Sequence, residues 1–237
     1  MSPTFSPSMK WLKPPIFALC LVPVLVLLLQ AFHEQLPGVD SFLAALRLNP
    51  DLGANPIERV THTTGDWILI FLCITLAITP LRRILNQPWL IKFRRMFGLF
   101  AFFYASLHFL TYIWLDQFFS WSSIVKDVYK RPFITAGFTG FVLLIPLALT
   151  STTGWIRRLG GKRWQLLHRL IYISAIAGVV HYYWLVKSDV RVPLLYAAIV
   201  TLLLGYRAVI ALRKRSVQSL TAPARAAVSS SESAKDA

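Results

Sequence analysis

Residues 93–115 read FRRMFGLFAFFYASLHFLTYIWL. After Arg94 and Arg95 come twenty residues without a formal charge, and one of them is His108. About 20 apolar residues cross the hydrocarbon of a bilayer as one helix. This stretch is therefore read as a membrane span that carries an imidazole inside lipid. Five more apolar runs flank it, at 14–32, 66–81, 133–150, 167–186 and 193–212. The run at 66–81 is short and is expected to begin nearer Thr61. The expected fold is all-α, a polytopic bundle of six transmembrane helices over residues 14–212. A short segment, 1–13, precedes it. The tail, 213–237, is rich in Ser and Ala without apolar periodicity and is expected to be disordered.

Composition agrees with a membrane class. The 237 residues are 56% hydrophobic and only 15% charged, against about 25% charged in soluble domains. A net charge of +15 raises nucleic acid as a partner, but that needs a basic stripe on a soluble surface. Here Lys and Arg cluster at the ends of apolar runs. The N-terminus, 82–95, 157–169 and the region from Arg207 carry 18 of the 25. Positive charge stays on the cytoplasmic side, so both termini are expected there and the partner is the lipid bilayer, not nucleic acid. Lys10 and Lys13 precede the first run as in a signal peptide, but no small-residue cleavage site follows, so an uncleaved first span is expected. Cys20 and Cys73 are single residues inside apolar runs, with no metal or disulfide spacing. No Gly-rich dinucleotide fingerprint occurs, so oxidation of a nicotinamide falls to another protein.

Three of the five histidines lie within spans: His108, His168 and His181. Polar groups at membrane depth are costly and point to function, although a helix–helix hydrogen bond also explains a single one. His108 lies 8 residues before Asp116 and His181 lies 6 before Lys187. At 1.5 Å per residue the two are roughly level, in the outer half. Two imidazoles at one depth suit bis-His ligation of a haem iron. His168 lies 13 residues from His181, about 20 Å deeper on a continuous helix, which suits a second centre. The level position on the third span is Arg94, and a guanidinium that stays protonated is a poor ligand. Arg94, Gly98, Ala101, Ala105 and His108 follow helical periodicity. Small residues on that stripe either leave room for a flat macrocycle or permit close helix packing. Thirteen residues turn a regular helix about 220° past full turns. Either the two sites lie around the bundle from one another or the helix is locally irregular. His33 and His62 are expected at outer span ends, facing solvent or the interface.

The segments Arg94-Arg95-Met96-Phe97-Gly98, Tyr104-Ala105-Ser106-Leu107-His108, Arg157-Arg158-Leu159-Gly160 and Trp164-Gln165-Leu166-Leu167-His168-Arg169 resemble the ferric reductase-like transmembrane family. Within it they are most similar to the MsrQ (YedZ) family of haem-binding membrane subunits. Thr64-Gly65-Asp66-Trp67 and Ile78-Thr79-Pro80-Leu81-Arg82 share the resemblance, which covers about residues 55–212. It implies two ligand pairs on the third and fifth spans, of which His108, His168 and His181 match three positions and Arg94 occupies the fourth. It implies haem b, one or two per chain, and FMN. Arg94, Arg95, Arg163 and Gly98 then become candidates for an inner cofactor site. It further implies a bacterial inner-membrane electron carrier rather than a complete enzyme. Electrons would enter from a cytoplasmic flavin reductase or a quinol. They would leave to a periplasmic molybdopterin methionine sulfoxide reductase that repairs oxidised proteins.

Two other classes compete: a quinol-oxidising cytochrome b anchor for another dehydrogenase or reductase, and a non-redox membrane scaffold. The purified chain is expected to show a haem Soret band; a spectrum without one leaves only the scaffold.

Overall fold

In this computed structural model the described residues are 11–233, with side chains described except at 214, 215 and 217–233. The cytoplasmic placement expected for the first residues and for 234–237 therefore lies outside the described residues. Every regular element among the described residues is helical. In chain order the helices are α1 (Lys13–Ala31), α2 (Val39–Ala45), α3 (Pro56–Ile84), α4 (Ile91–Thr111) and α5 (Trp121–Lys130). They continue as α6 (Pro132–Leu149), α7 (Thr153–Leu159), α8 (Gly161–Leu167), α9 (Leu170–Leu185) and α10 (Arg191–Ser233). The protein is an all-α polytopic membrane protein.

Five helical segments are long and apolar enough to cross a bilayer: Lys13–Ala31, Pro56–Ile84, Pro88–Asp116, Pro132–Leu149 and Arg191–Arg213. The remaining apolar run forms α9, which has 16 residues, or about 24 Å of helix. It is short because the helix is interrupted at His168 and Arg169, between α8 and α9. That interruption answers the rotation question: His168 and His181 do not share one regular helix.

Helix α3 starts well before the apolar run that announced it. Asn55 caps it by accepting from the Glu58 amide at 3.3 Å, and Glu58 returns the contact by accepting from Asn55 Nδ2 at 2.9 Å. Pro56 supplies the first helical residue, where a missing N–H costs nothing. This capped turn is polar, so hydropathy alone passed over it. Helix α4 continues beyond Thr111 into a wider π turn over Tyr112–Asp116, a local form common beside functional sites.

Two helix pairs organise the bundle. Helix α3 packs along α4, and α6 packs along α9; α10 closes against α3 and α9, while α1 lies on α3 and α4. Small residues permit both close pairings. Ala101 is wholly buried, and a Cβ at Gly98 would come within 3.8 Å of Thr75 on α3. Across the other pair Ser174 donates to the Gly140 carbonyl at 2.7 Å. Phe71 stacks with Phe97, Phe100 and Tyr104 to fill the α3–α4 seam. The Tyr104 hydroxyl then enters α1, accepting from the Val24 amide and donating to the Cys20 carbonyl. Those two groups would otherwise pair with each other in a regular helix.

Large apolar side chains such as Leu194, Leu195, Leu202, Ile173 and Ile176 are exposed on the outside of the bundle. An aqueous surface this apolar is rare in soluble monomers; lipid is its natural solvent. Helix α5 differs. Trp121, Val125 and Tyr129 are exposed on one face, while Ile124 and Asp127 turn inward, Asp127 accepting from Tyr112.

Replacing the wholly enclosed Ala101 with Leu should overpack the α3–α4 seam and cost about 1–3 kcal/mol. The check is a lower thermal-unfolding midpoint in detergent, with Leu202→Ala on the lipid face as an unaffected control.

Candidate functional site

His108 on α4 and His181 on α9 face one another across the gap between the two helix pairs. Their ring centres are 6.1 Å apart and their planes lie 87° to one another. Each ring is held by the other helix of its own pair. His108 Nδ1 donates to the Thr61 carbonyl on α3 at 3.0 Å, with the Thr64 hydroxyl 3.3 Å away. His181 Nδ1 donates to the Phe133 carbonyl on α6 at 2.6 Å.

The two arrangements share one local design. Four residues after each accepting carbonyl stands a glycine, Gly65 after Thr61 and Gly137 after Phe133. A Cβ at Gly65 would lie 3.3 Å from the His108 ring; one at Gly137 would lie 2.8 Å from His181 Nδ1. The glycines cut notches in α3 and α6 that let each imidazole reach a carbonyl one turn below. A hydrogen bond at Nδ1 sets the tautomer and ring orientation and leaves the Nε2 lone pair available to a ligand. Two imidazoles sharing one metal ion through Nε2 bonds of about 2 Å would hold their ring centres about 6 Å apart. The observed spacing agrees.

Both rings line a cavity of about 570 Å³. Its walls are mostly apolar, with Ile68, Leu69, Leu72, Phe109, Phe141 and Leu144 prominent. Ala105, Gly137, Gly140 and Gly178 keep it open, and Glu58, His62, Asp116 and Arg131 line the end formed by the helix termini. Volume and lining fit an organic cofactor with an apolar body and polar edge. These features fit a haem held by His108 and His181. Among the described residues no cluster of His, Cys, Asp and Glu forms a separate metal cage.

His168 is placed elsewhere. It caps α8, with its ring stacked on Trp164 at 3.9 Å between centres. Its Nδ1 donates to the Trp164 carbonyl, and its Nε2 lies 3.4 Å from the Ser151 hydroxyl. Trp164 is itself anchored by donating Nε1–H to the Thr150 carbonyl at 2.9 Å. Arg94 is half-buried and within electrostatic range of His168, Tyr172 and Arg207. Arg95 and Arg163 are exposed at this end, and Gly98 faces Thr75 in the α3–α4 seam. Of the stripe on α4, Ala105 and His108 line the large cavity. His33 pairs with Asp40 at 3.1 Å, and His62 is exposed on the cavity's outer rim.

A single family description, ferric reductase like transmembrane component, matches residues 64–179. That match takes in α4 with His108 and the segment carrying His168. Among relatives, the protein-methionine-sulfoxide reductase heme-binding subunit MsrQ of Herminiimonas arsenicoxydans is 58% identical over 176 residues. The match covers 73% of this chain and 81% of that protein. The chain belongs to the MsrQ family. The family's Rhodospirillum rubrum member is 54% identical over 165 residues, 70% of this chain and 79% of its own. Its member from Xanthomonas campestris pv. campestris (strain 8004) is 49% identical over 195 residues, 82% of this chain and 84% of its own. These relatives are named as heme-binding subunits.

Reading the sequence for membrane-depth histidines singled out His108, His168 and His181, of which the structure brings His108 and His181 together, but it missed what holds them. Thr61, Gly65, Phe133 and Gly137 were the missing part of the site. The available signal was an isolated glycine in each of two apolar helices, a mark of close approach. Gly137→Ala should displace His181 and weaken binding of added haem at least about tenfold, a change of about 1.4 kcal/mol. Gly65→Ala, with the wider clearance, should have the smaller effect. Haem titration of the two purified variants checks the order.

Proposed function

We propose that the chain is a haem b electron carrier of the bacterial inner membrane, whose iron His108 and His181 would hold. The observation that carries this reading is the facing imidazole pair. Both Nδ1 atoms are committed to backbone carbonyls, and the ring spacing suits one shared iron. Haem b bound there supplies a one-electron centre whose potential follows from axial ligands, hydrogen bonding and burial. The chain's own residues do the rest. Thr61 and Phe133 orient the ligands, the glycines admit them, and the apolar walls exclude water.

Six spans with both termini cytoplasmic place this haem in the outer half, as the charge distribution supports. Electrons then leave to a periplasmic molybdopterin-containing methionine sulfoxide reductase subunit, a reading supported by the relatives' names and by the family resemblance. They enter from a cytoplasmic flavin reductase or a quinol at the other end of the bundle. The inner centre is FMN or a second haem beside His168, with Arg94, Arg95 and Arg163 available to its acidic groups.

Replacing His108 or His181 with Ala should abolish the low-spin haem spectrum, whereas His168→Ala should leave it largely intact. An unchanged spectrum in the His108 variant would overturn the ligand assignment. Counting haem and flavin per purified chain then decides the inner centre.

A further inference from the structure

The bundle end opposite the His108–His181 pair carries two half-buried cations that meet no counter-ion among the described residues. Arg207 on α10 reaches across to α3 and donates to the Leu76 carbonyl at 2.6 Å. That carbonyl is free because its usual helical partner, four residues on, is Pro80, which has no N–H. Arg207 also donates to the Tyr172 hydroxyl on α9 at 3.0 Å. Its Nε is buried without a hydrogen-bond partner. Arg94 on α4 is half-buried, within electrostatic range of Arg207, and makes no ion pair or hydrogen bond among the described residues.

Among the described residues neither arginine meets a carboxylate. Of the ten acidic residues, eight fall at 34–66, 116–127 and 189, which are the stretches at the other end of the spans. The remaining two, Glu232 and Asp236, lie beyond residue 230 in the sequence, outside the residues whose side chains are described. Two half-buried cations within electrostatic range of each other repel, and an unpaired buried charge is strongly unfavourable. The arrangement is stable once an oxyanion sits between them, and guanidinium forks match carboxylate and phosphate geometry.

We infer that Arg94 and Arg207 form an oxyanion clamp that holds the acidic group, phosphate or carboxylate, of the inner redox cofactor beside His168. This rests on the reading of an inner centre given above. It adds Arg207 as a binding residue from the last span. It also gives Pro80 a purpose: by freeing the Leu76 carbonyl it fixes the guanidinium that faces the ligand.

The test uses the full chain in detergent, as wild type and as the variants Arg94→Gln, Arg207→Gln and Arg207→Lys. Each is titrated with FMN against riboflavin, and with haemin against haemin dimethyl ester. Flavin fluorescence and haem absorbance are read, and the His108–His181 spectrum reports an intact bundle. Wild type should hold the acidic member of one pair about tenfold tighter than its neutral counterpart, a difference of about 1.4 kcal/mol. Both Gln variants should lose that preference, and Arg207→Lys should keep most of it. Arg94→Gln guards against a folding defect, because Arg94 ties no helices together. Equal binding of both members by wild type overturns the clamp and leaves the inner centre standing. Wild type that binds no flavin and no second haem overturns the inner centre and the clamp together. If phosphorus analysis finds phospholipid held by wild type and lost from both Gln variants, with no preference within either pair, the anion is a lipid headgroup and the cofactor assignment fails.

Discussion

A membrane interior has no water to satisfy an imidazole N–H, so each buried histidine must find its acceptor in the protein. Here the acceptors are the carbonyls of Thr61 and Phe133. A helical carbonyl already serves its own helix, and its second lone pair is reachable only where the helix surface is cut back. Gly65 and Gly137 make those cuts. The whole arrangement follows from this need. Helix α3 must lie against α4, and α6 against α9, closely enough for a ring on one to reach the backbone of the other. Once both pairs form, both Nε2 atoms are left for a ligand between them, and the cavity is the gap that separates the pairs.

The same constraint explains the polar contacts elsewhere in the bundle. Tyr104 enters the backbone ladder of α1, and Ser174 bonds the Gly140 carbonyl. Arg207 takes up the carbonyl that Pro80 releases. Tyr104, Ser174 and Arg207 are each matched to a backbone group on a neighbouring helix. Such bonds are modest, on average about 0.6 kcal/mol in membrane proteins. Their main effect is to set which helices are neighbours and in what register. Charge divides along the bundle as well: acids gather at the His108 end, and the other end is almost purely cationic.

The membrane class, the apolar runs and the three imidazoles were legible in the sequence, because bilayer thickness imposes a run length and lipid penalises polar groups. The matching depth of His108 and His181 followed from helical rise alone. The small-residue stripe on α4 was legible as small but not as to purpose. Gly98 and Ala101 serve the α3–α4 seam, whereas Ala105 lines the cavity. Periodicity finds a face but cannot say what covers it.

The amino-acid order by itself therefore determined that this chain lives in a bilayer as helices, and that His108 and His181 are level with one another. Both are one-dimensional consequences of hydrophobic length. Only the tertiary structure decided how those histidines are used. The carbonyl that orients each ring lies 47 or 48 residues away in the chain, and the break at His168 between α8 and α9 has no hydropathy signal. Backbone acceptors look alike at every residue, so their selection becomes visible only when two helices are brought into contact.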